Sequence, residues 1–195
     1  MSVEKRRADW RLGRWAAKAA VGAWLAVPGS RIEILAAPDG APEAWLDDDR
    51  APVSVSLSHR GGRALAAVTA APAVTGCDLE LIEPRSDAFV REWLAPEEQR
   101  LVAACAAHER DRVANLVWTA KEAAAKVRRE GLRLDVRRAA VEVPDAFARS
   151  AAWRPLTVDW GRAGARTAGW WRAEPGWVMA ILGDPAPGRP RWLAS

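Results

Sequence analysis

Apolar and polar positions first repeat at helical spacing. Between residues 5 and 27, Arg7, Arg11, Arg14 and Lys18 follow i, i+4, i+7 and i+11. Leu12, Trp15, Ala16, Ala19 and Ala23 take another side of the same helix. This predicts an amphipathic helix with a basic stripe, ended by Pro28-Gly29. Basic residues followed by the apolar run Ala19 to Val27 have the outline of a signal peptide. The regular basic stripe argues instead for a helix within the fold, and the protein is expected to be cytoplasmic.

The period then changes to two. Ile32, Ile34 and Leu35 carry a strand over Arg31 to Ala36, turned by Pro38-Asp39-Gly40, and Asp47-Asp48-Asp49 reads as a solvated loop. Val53 to Leu57 alternates with Ser54, Ser56 and Ser58, and Ala64 to Ala70 returns after Gly61-Gly62 as a hairpin. Ala73 to Ile82 is a further strand, closed by Glu83-Pro84. Helical spacing resumes over Asp87 to Leu94, then from Pro96, with Glu97 and Glu98 in the first turn, to about Ala107 and including Cys105. A longer helix spans His108 to Glu130, with Gly131 as its stop. Short strands are predicted at Ala139 to Val143, Pro155 to Trp160, Arg166 to Arg172 and Trp177 to Leu182, before a loose tail carrying Pro185, Pro187 and Pro190. Helix followed by strands occurs twice, before and after about Val74.

Composition narrows the class. Of 195 residues, 50% are apolar and 28% charged, as in ordinary globular proteins, and no apolar run is long enough to span a membrane. Cys77 and Cys105, each inside an apolar segment, read as reduced structural residues. The net charge of +4 and the basic stripe suggest an anionic ligand or partner. Twelve tryptophans interleaved with basic residues raise nucleic-acid binding, but most lie in apolar runs where packing explains them, so nucleic acid is not expected.

Candidate chemistry sits in two stretches. On a strand, Asp78 and Glu80 of Gly76-Cys77-Asp78-Leu79-Glu80 face one side. About forty residues later, Trp118-Thr119-Ala120-Lys121-Glu122-Ala123-Ala124-Ala125-Lys126 places Glu122 and Lys126 on one helix face, with Trp118 a turn earlier. Three carboxylates and a lysine suit a hard cation holding a phosphorylated ligand, and without His or Cys at ligand spacing zinc is not indicated. A strand G-x-D-x-E followed by W-x-x-K-E-x-x-x-K resembles the 4′-phosphopantetheinyl transferases, Sfp-type branch. Ser58-His59-Arg60-Gly61-Gly62 resembles the family's S-H-x-G-G segment, and Gly131-Leu132 the G-L segment after its lysine.

The resemblance implies an α+β fold of two similar α/β halves in one chain, each a helix on a small, mainly antiparallel sheet, with the active site between them. The halves would be residues 1–73 and 74–184, with 185–195 a tail. It implies Mg²⁺-dependent transfer of 4′-phosphopantetheine from coenzyme A to a serine of an apo acyl or peptidyl carrier protein, releasing adenosine 3′,5′-bisphosphate. Asp78, Glu80 and Glu122 would hold the metal, Lys126 and His59 the phosphates, and Arg14, Lys18 and Arg7 (with Arg11 a further candidate) the 3′-phosphate. Lys121 is expected at the edge of the site. Glu122 is the first candidate for the general base and Glu80 the second. A monomer is expected. Two competing readings are a non-catalytic relative that binds coenzyme A or a carrier protein, and an unrelated basic nucleic-acid adaptor.

Overall fold

Glycine fixes the tightest turn. The computed structural model describes residues 3–129, 135–148, 151–161 and 166–193, without the side chains of residues 3, 5 and 6. Gly61 and Gly62 both take positive φ, 53° and 80°, so strand β4 (Val53–Arg60) turns directly into β5 (Arg63–Ala70). Helix α1 (Val3–Leu25) lies across this hairpin, beside a three-stranded antiparallel sheet of β1 (Ile32–Ala36), β2 (Pro42–Leu46) and β3 (Asp49–Arg50). Ala17, Val21, Ile32, Ile34, Ala44, Val53 and Val55 form the core of this half.

The second half repeats the plan on a larger scale. It runs from β6 (Val74–Leu81) through α2 (Asp87–Trp93), α3 (Pro96–Ala104) and α4 (Ala107–Arg128) into β7 (Ala140–Glu142), β8 (Arg154–Asp159), β9 (Arg166–Glu174) and β10 (Trp177–Asp184). The five strands form an antiparallel sheet in the order β6-β10-β9-β8-β7. Leu116, Ala120, Ala123, Ala124 and Val127 of α4 bury against Leu156, Trp171, Val178, Ala180 and Leu182 of the sheet. The fold is thus α+β, with two similar halves that each set a helix on antiparallel strands.

Serines join the halves. The free edge of β6 meets β4, and the amides of Thr75, Cys77 and Leu79 donate to the hydroxyls of Ser54, Ser56 and Ser58 at 3.2, 3.0 and 3.3 Å. The constant offset makes the two strands parallel, and hydroxyls stand in for the missing backbone ladder. Ser56 and Ser58 are buried, so an apolar replacement at either would leave a β6 amide without its acceptor.

Several expectations need correction. Helix α1 does not pack through its Leu12–Trp15–Ala16–Ala19–Ala23 side: Trp15 is 68% exposed, and Ala19 and Ala23 face solvent. The buried side is Gly13, Ala17, Ala20 and Val21, whose small size lets the helix sit close to the hairpin. Strands β2 and β3 were not expected, and Asp47 lies in the turn between them, paired with Arg31 at 2.5 Å. Helix α3 stops at Ala104, with Cys105 as its C-cap, and α4 ends at Arg128 with Arg129 in the left-handed conformation. The expected stop at Gly131, with Leu132, falls outside the described residues. Among the described residues after β10 there is no regular element. There Trp170 donates to the Pro187 carbonyl at 2.9 Å, and the Trp192 ring lies 5.7 Å from that of Trp153.

Candidate active site

Gly76 positions the second half's carboxylates. A Cβ there would lie 2.1 Å from the Ala123 carbonyl oxygen and 2.8 Å from the Val127 amide nitrogen, so β6 and α4 approach backbone to backbone. Asp78 and Glu80 share Gly76's side of the strand, and this approach sets them against Glu122 and Lys126 of α4. Lys126 Nζ donates to Asp78 Oδ1 at 2.8 Å and to the Cys77 carbonyl at 2.9 Å. Ser58 donates to the same Asp78 oxygen at 2.8 Å while accepting from Leu79. One serine therefore ties the first half to the carboxylate centre.

Asp78 is buried and its second oxygen, Oδ2, has no hydrogen-bond partner. A bare carboxylate oxygen in a buried setting calls for a cation or a donor supplied from outside the chain. Glu80 lies between two guanidinium groups, 3.3 Å from Arg85 and 3.6 Å from Arg60. Arg85 is held in turn by Asn115 at 2.7 Å and by the Phe89 ring. Burial first, then the Asp78 charge, push the Glu80 carboxyl up, against Arg60, Arg85 and a hydrogen bond from Trp118. Burial and Asp78 likewise raise Glu122, which Lys126 partly offsets and Glu80 reinforces. Burial works against the Lys126 charge, yet Asp78, Cys77 and Glu122 together raise it, so it stays an ammonium. Among the described residues no three His, Cys, Asp or Glu side chains close into a ready metal cage. The donor set still fits a hard divalent cation: oxygen-only, over-charged and with an unpaired oxygen at its centre.

Glu122 and Lys126 line a cleft of about 1110 Å³ between the halves, with Trp118 and Arg129 on the same side and Arg14 and Val55 on the other; Asp78, Glu80 and His59 are not among its lining residues. Arg129 grips Asp39 of the β1–β2 turn through two 2.9 Å hydrogen bonds, spanning the cleft at one end. Arg14 stacks over Trp10 at 3.9 Å, and burial lowers its pKa, as expected for a guanidinium turned toward a partly dry cavity. His59 is exposed at the end of β4 and edges against α1, where a Cβ on Gly13 would sit 3.1 Å from its ring. Arg7 is exposed and Lys18 half-buried on α1; neither lines the cleft.

Lys121 is not at the edge of the site. It is wholly buried, paired with the buried Glu98 at 2.7 Å and bonded to the carbonyls of Trp93 and Val136. Glu98 also accepts from the Ala95 and Val141 amides, so the pair clamps α3, α4 and β7 together. Sequence reasoning missed Ser58, Arg60, Arg85 and Asn115. The period-two serines of β4 were a usable signal for Ser58; nothing in the local sequence marked the others.

The two similar halves, each a helix on antiparallel strands, with a cleft between them lined by Glu122 and Lys126, define a two-half α+β protein. Residues 75–168 match the 4′-phosphopantetheinyl transferase superfamily model and residues 1–69 the 4′-phosphopantetheinyl transferase N-terminal domain. The chain belongs to the 4′-phosphopantetheinyl transferase superfamily, and its separate N-terminal domain fits the Sfp-type arrangement. No curated protein is similar enough to count as a match. Among the described residues no helix is long and apolar enough to cross a membrane.

The like-charged carboxylates have a measurable consequence. Because Glu122 and Glu80 are raised, the folded protein keeps their protons to a higher pH than the unfolded chain does. Without a cation, their contribution to stability is fully present below the ordinary carboxylate pKa and is lost as pH rises through the raised values. Glu122→Gln removes one repelling charge and should raise the melting temperature at neutral pH, by about 2–4 °C per kcal/mol relieved, while transfer is lost. Thermal melts at acid and neutral pH, with and without Mg²⁺, check this: the gain should shrink in acid and when Mg²⁺ is present.

Proposed function

We propose that this protein transfers 4′-phosphopantetheine from coenzyme A to the serine hydroxyl of an apo acyl or peptidyl carrier protein, releasing adenosine 3′,5′-bisphosphate. The unpartnered Asp78 Oδ2, on a carboxylate bonded to Lys126, which lines the cleft together with Glu122, carries this reading. Asp78, Glu80 and Glu122 would hold a Mg²⁺ ion, which supplies neutralisation of the pyrophosphate charge when bound.

The chain's own residues do the rest. Two of the three Lys126 N–H groups are used on Asp78 and Cys77, and the third is available to a phosphate oxygen in the cleft. Arg14 lines the same cleft from the first half, where it would meet an anionic part of coenzyme A, with Lys18 and Arg7 further along α1. His59 would contact the pyrophosphate from the hairpin end. The serine oxygen attacks the β-phosphorus as the bond to the leaving adenosine bisphosphate breaks. The serine proton would pass to Glu122, which lines the cleft that the serine enters. Glu80, gripped by Arg60 and Arg85, is less free to accept it. A cytoplasmic monomer is the expected setting.

Intact-mass measurement of an apo carrier protein incubated with this protein, coenzyme A and Mg²⁺ tests the reading. A single phosphopantetheine adduct that disappears with EDTA is the expected result. No adduct on any acyl or peptidyl carrier, with coenzyme A still raising the melting temperature, would replace transfer by non-catalytic binding.

A further inference from the structure

The outward side of α1 is unusually equipped for a helix at the edge of a domain. Its packing side is made of Gly13, Ala17, Ala20 and Val21, and the opposite side keeps Trp15, Ala19 and Ala23 in solvent, with Leu12 and Ala16 half-buried. Trp15 is the most exposed large apolar residue of those described, at 68%. At about 100° per residue, Arg7, Arg11 and Lys18 fall within a narrow arc that runs directly beside Trp15. Of the helix's acids, Asp9 lies across the helix from Arg11, and Glu4 shares this face only at its N-terminal end, in the first turn, where the helix dipole favours it.

We propose that this face of α1, anchored on Trp15 and flanked by Arg11, docks an acidic helical protein surface that carries an apolar residue. The inference rests on the transfer reading above, and the partner it commits to is the acceptor carrier protein. Charge decides among possible occupants. A second copy of this chain, at net charge +4, would set the same basic stripe against itself. A lipid surface would find Trp15, alanines and the half-buried Leu12 on this face, while the exposed Trp10 and Trp24 lie about 140° and 180° round the helix from Trp15, so the apolar side chains form no single face for an interfacial helix. An acidic helix meets both the guanidinium flank and the tryptophan.

Position supports the same partner. Gly13 abuts His59 and Leu57, where a Cβ would come to 3.1 and 3.3 Å, and Arg14 lines the cleft. Trp15 and Arg11 belong to the same turns as Gly13 and Arg14, on the outer side of a helix about 10–12 Å across. A carrier whose serine enters the cleft beside Glu122 has this face within reach. The basic stripe then divides its work, Arg14 toward the cleft and Arg11 toward the partner.

Trp15→Ala and Trp15→Glu test this, since the Trp15 side chain is not packed in the fold. Binding of dye-labelled apo acyl and apo peptidyl carrier proteins is followed by anisotropy, beside transfer kinetics with each substrate varied. Each variant should weaken carrier binding and raise KM for the carrier about tenfold, with KM for coenzyme A, kcat and the melting curve unchanged. Wild-type protein that binds and transfers while the variants match it overturns the docking face and leaves the function standing. Wild-type protein that neither binds nor modifies any carrier overturns both. A rise in KM for coenzyme A alone, or loss only of binding to phosphatidylserine vesicles, assigns the face elsewhere and overturns the proposal.

Discussion

Asp78→Ala is expected to lower phosphopantetheinyl transfer on the order of 10³-fold or more, at saturating coenzyme A and Mg²⁺. The reason is that Asp78 does three things from one place. Its Oδ1 receives Lys126 and Ser58, its Oδ2 is left without a partner, and its charge adds to burial in raising both Glu80 and Glu122. Removing it would take away a proposed cation ligand and free Lys126 from its ion pair.

The fold should survive, because Ser58 keeps its bond from Leu79, Lys126 keeps Cys77, and the site opens to water. Asp78→Asn separates charge from shape. It can still accept from Ser58 and Lys126, so it should melt close to wild type while losing transfer nearly as fully. Single-turnover mass spectrometry reads the rate, and titration with Mg²⁺ shows whether the loss is rescued by more metal. Near-normal turnover in Asp78→Asn would remove the cation-holding role from this residue.

Much of this site was legible because its two halves are local. Asp78 and Glu80 share a strand face by period two, Glu122 and Lys126 a helix face by i+4, and each pairing appeared where spacing put it. The hairpin turn was equally plain, since Gly61-Gly62 supplies the positive φ that the turn demands. What failed was reading which surface each face meets. On α1, the bulky apolar residues suggested a buried side, yet close packing against the hairpin selects small residues, and hydrophobic weight does not register Gly13 or Ala17. Lys121, beside Glu122 in sequence, points to Glu98 because about 100° of helix rotation carries it into a different layer. The serine seam was visible as an alternation but not as a joint: whether a hydroxyl meets water or another strand's amide depends on the other half of the chain.

Gly76→Ala should be among the most damaging single methyls in the described residues, alongside Gly169→Ala, whose Cβ would also come to 2.1 Å from a backbone oxygen. The added Cβ would stand 2.1 Å from the Ala123 carbonyl oxygen, 2.8 Å from the Val127 nitrogen and 3.0 Å from the Val127 side chain. The first two obstacles are backbone in the last two turns of α4, so no rotamer change relieves them. The helix must lift from β6, and lifting it separates the packed Ala123, Ala124 and Val127 from Val178, Ala180 and Leu182. Overpacking of this kind costs about 1–3 kcal/mol and more when backbone must move, so a loss at the upper end or beyond is expected. Denaturant unfolding monitored by tryptophan fluorescence measures it.

Function should fail further than stability does. Lys126 donates to Asp78 at 2.8 Å and to Cys77 at 2.9 Å across the same strand–helix contact, so a shift of about 1 Å breaks both bonds and carries Glu122 away from Asp78. Protein that remains folded at low temperature should therefore still transfer poorly, with a weakened response to Mg²⁺. A Gly76→Ala variant that melts like wild type and responds normally to Mg²⁺ would mean that α4 and β6 need not touch for the carboxylates to meet.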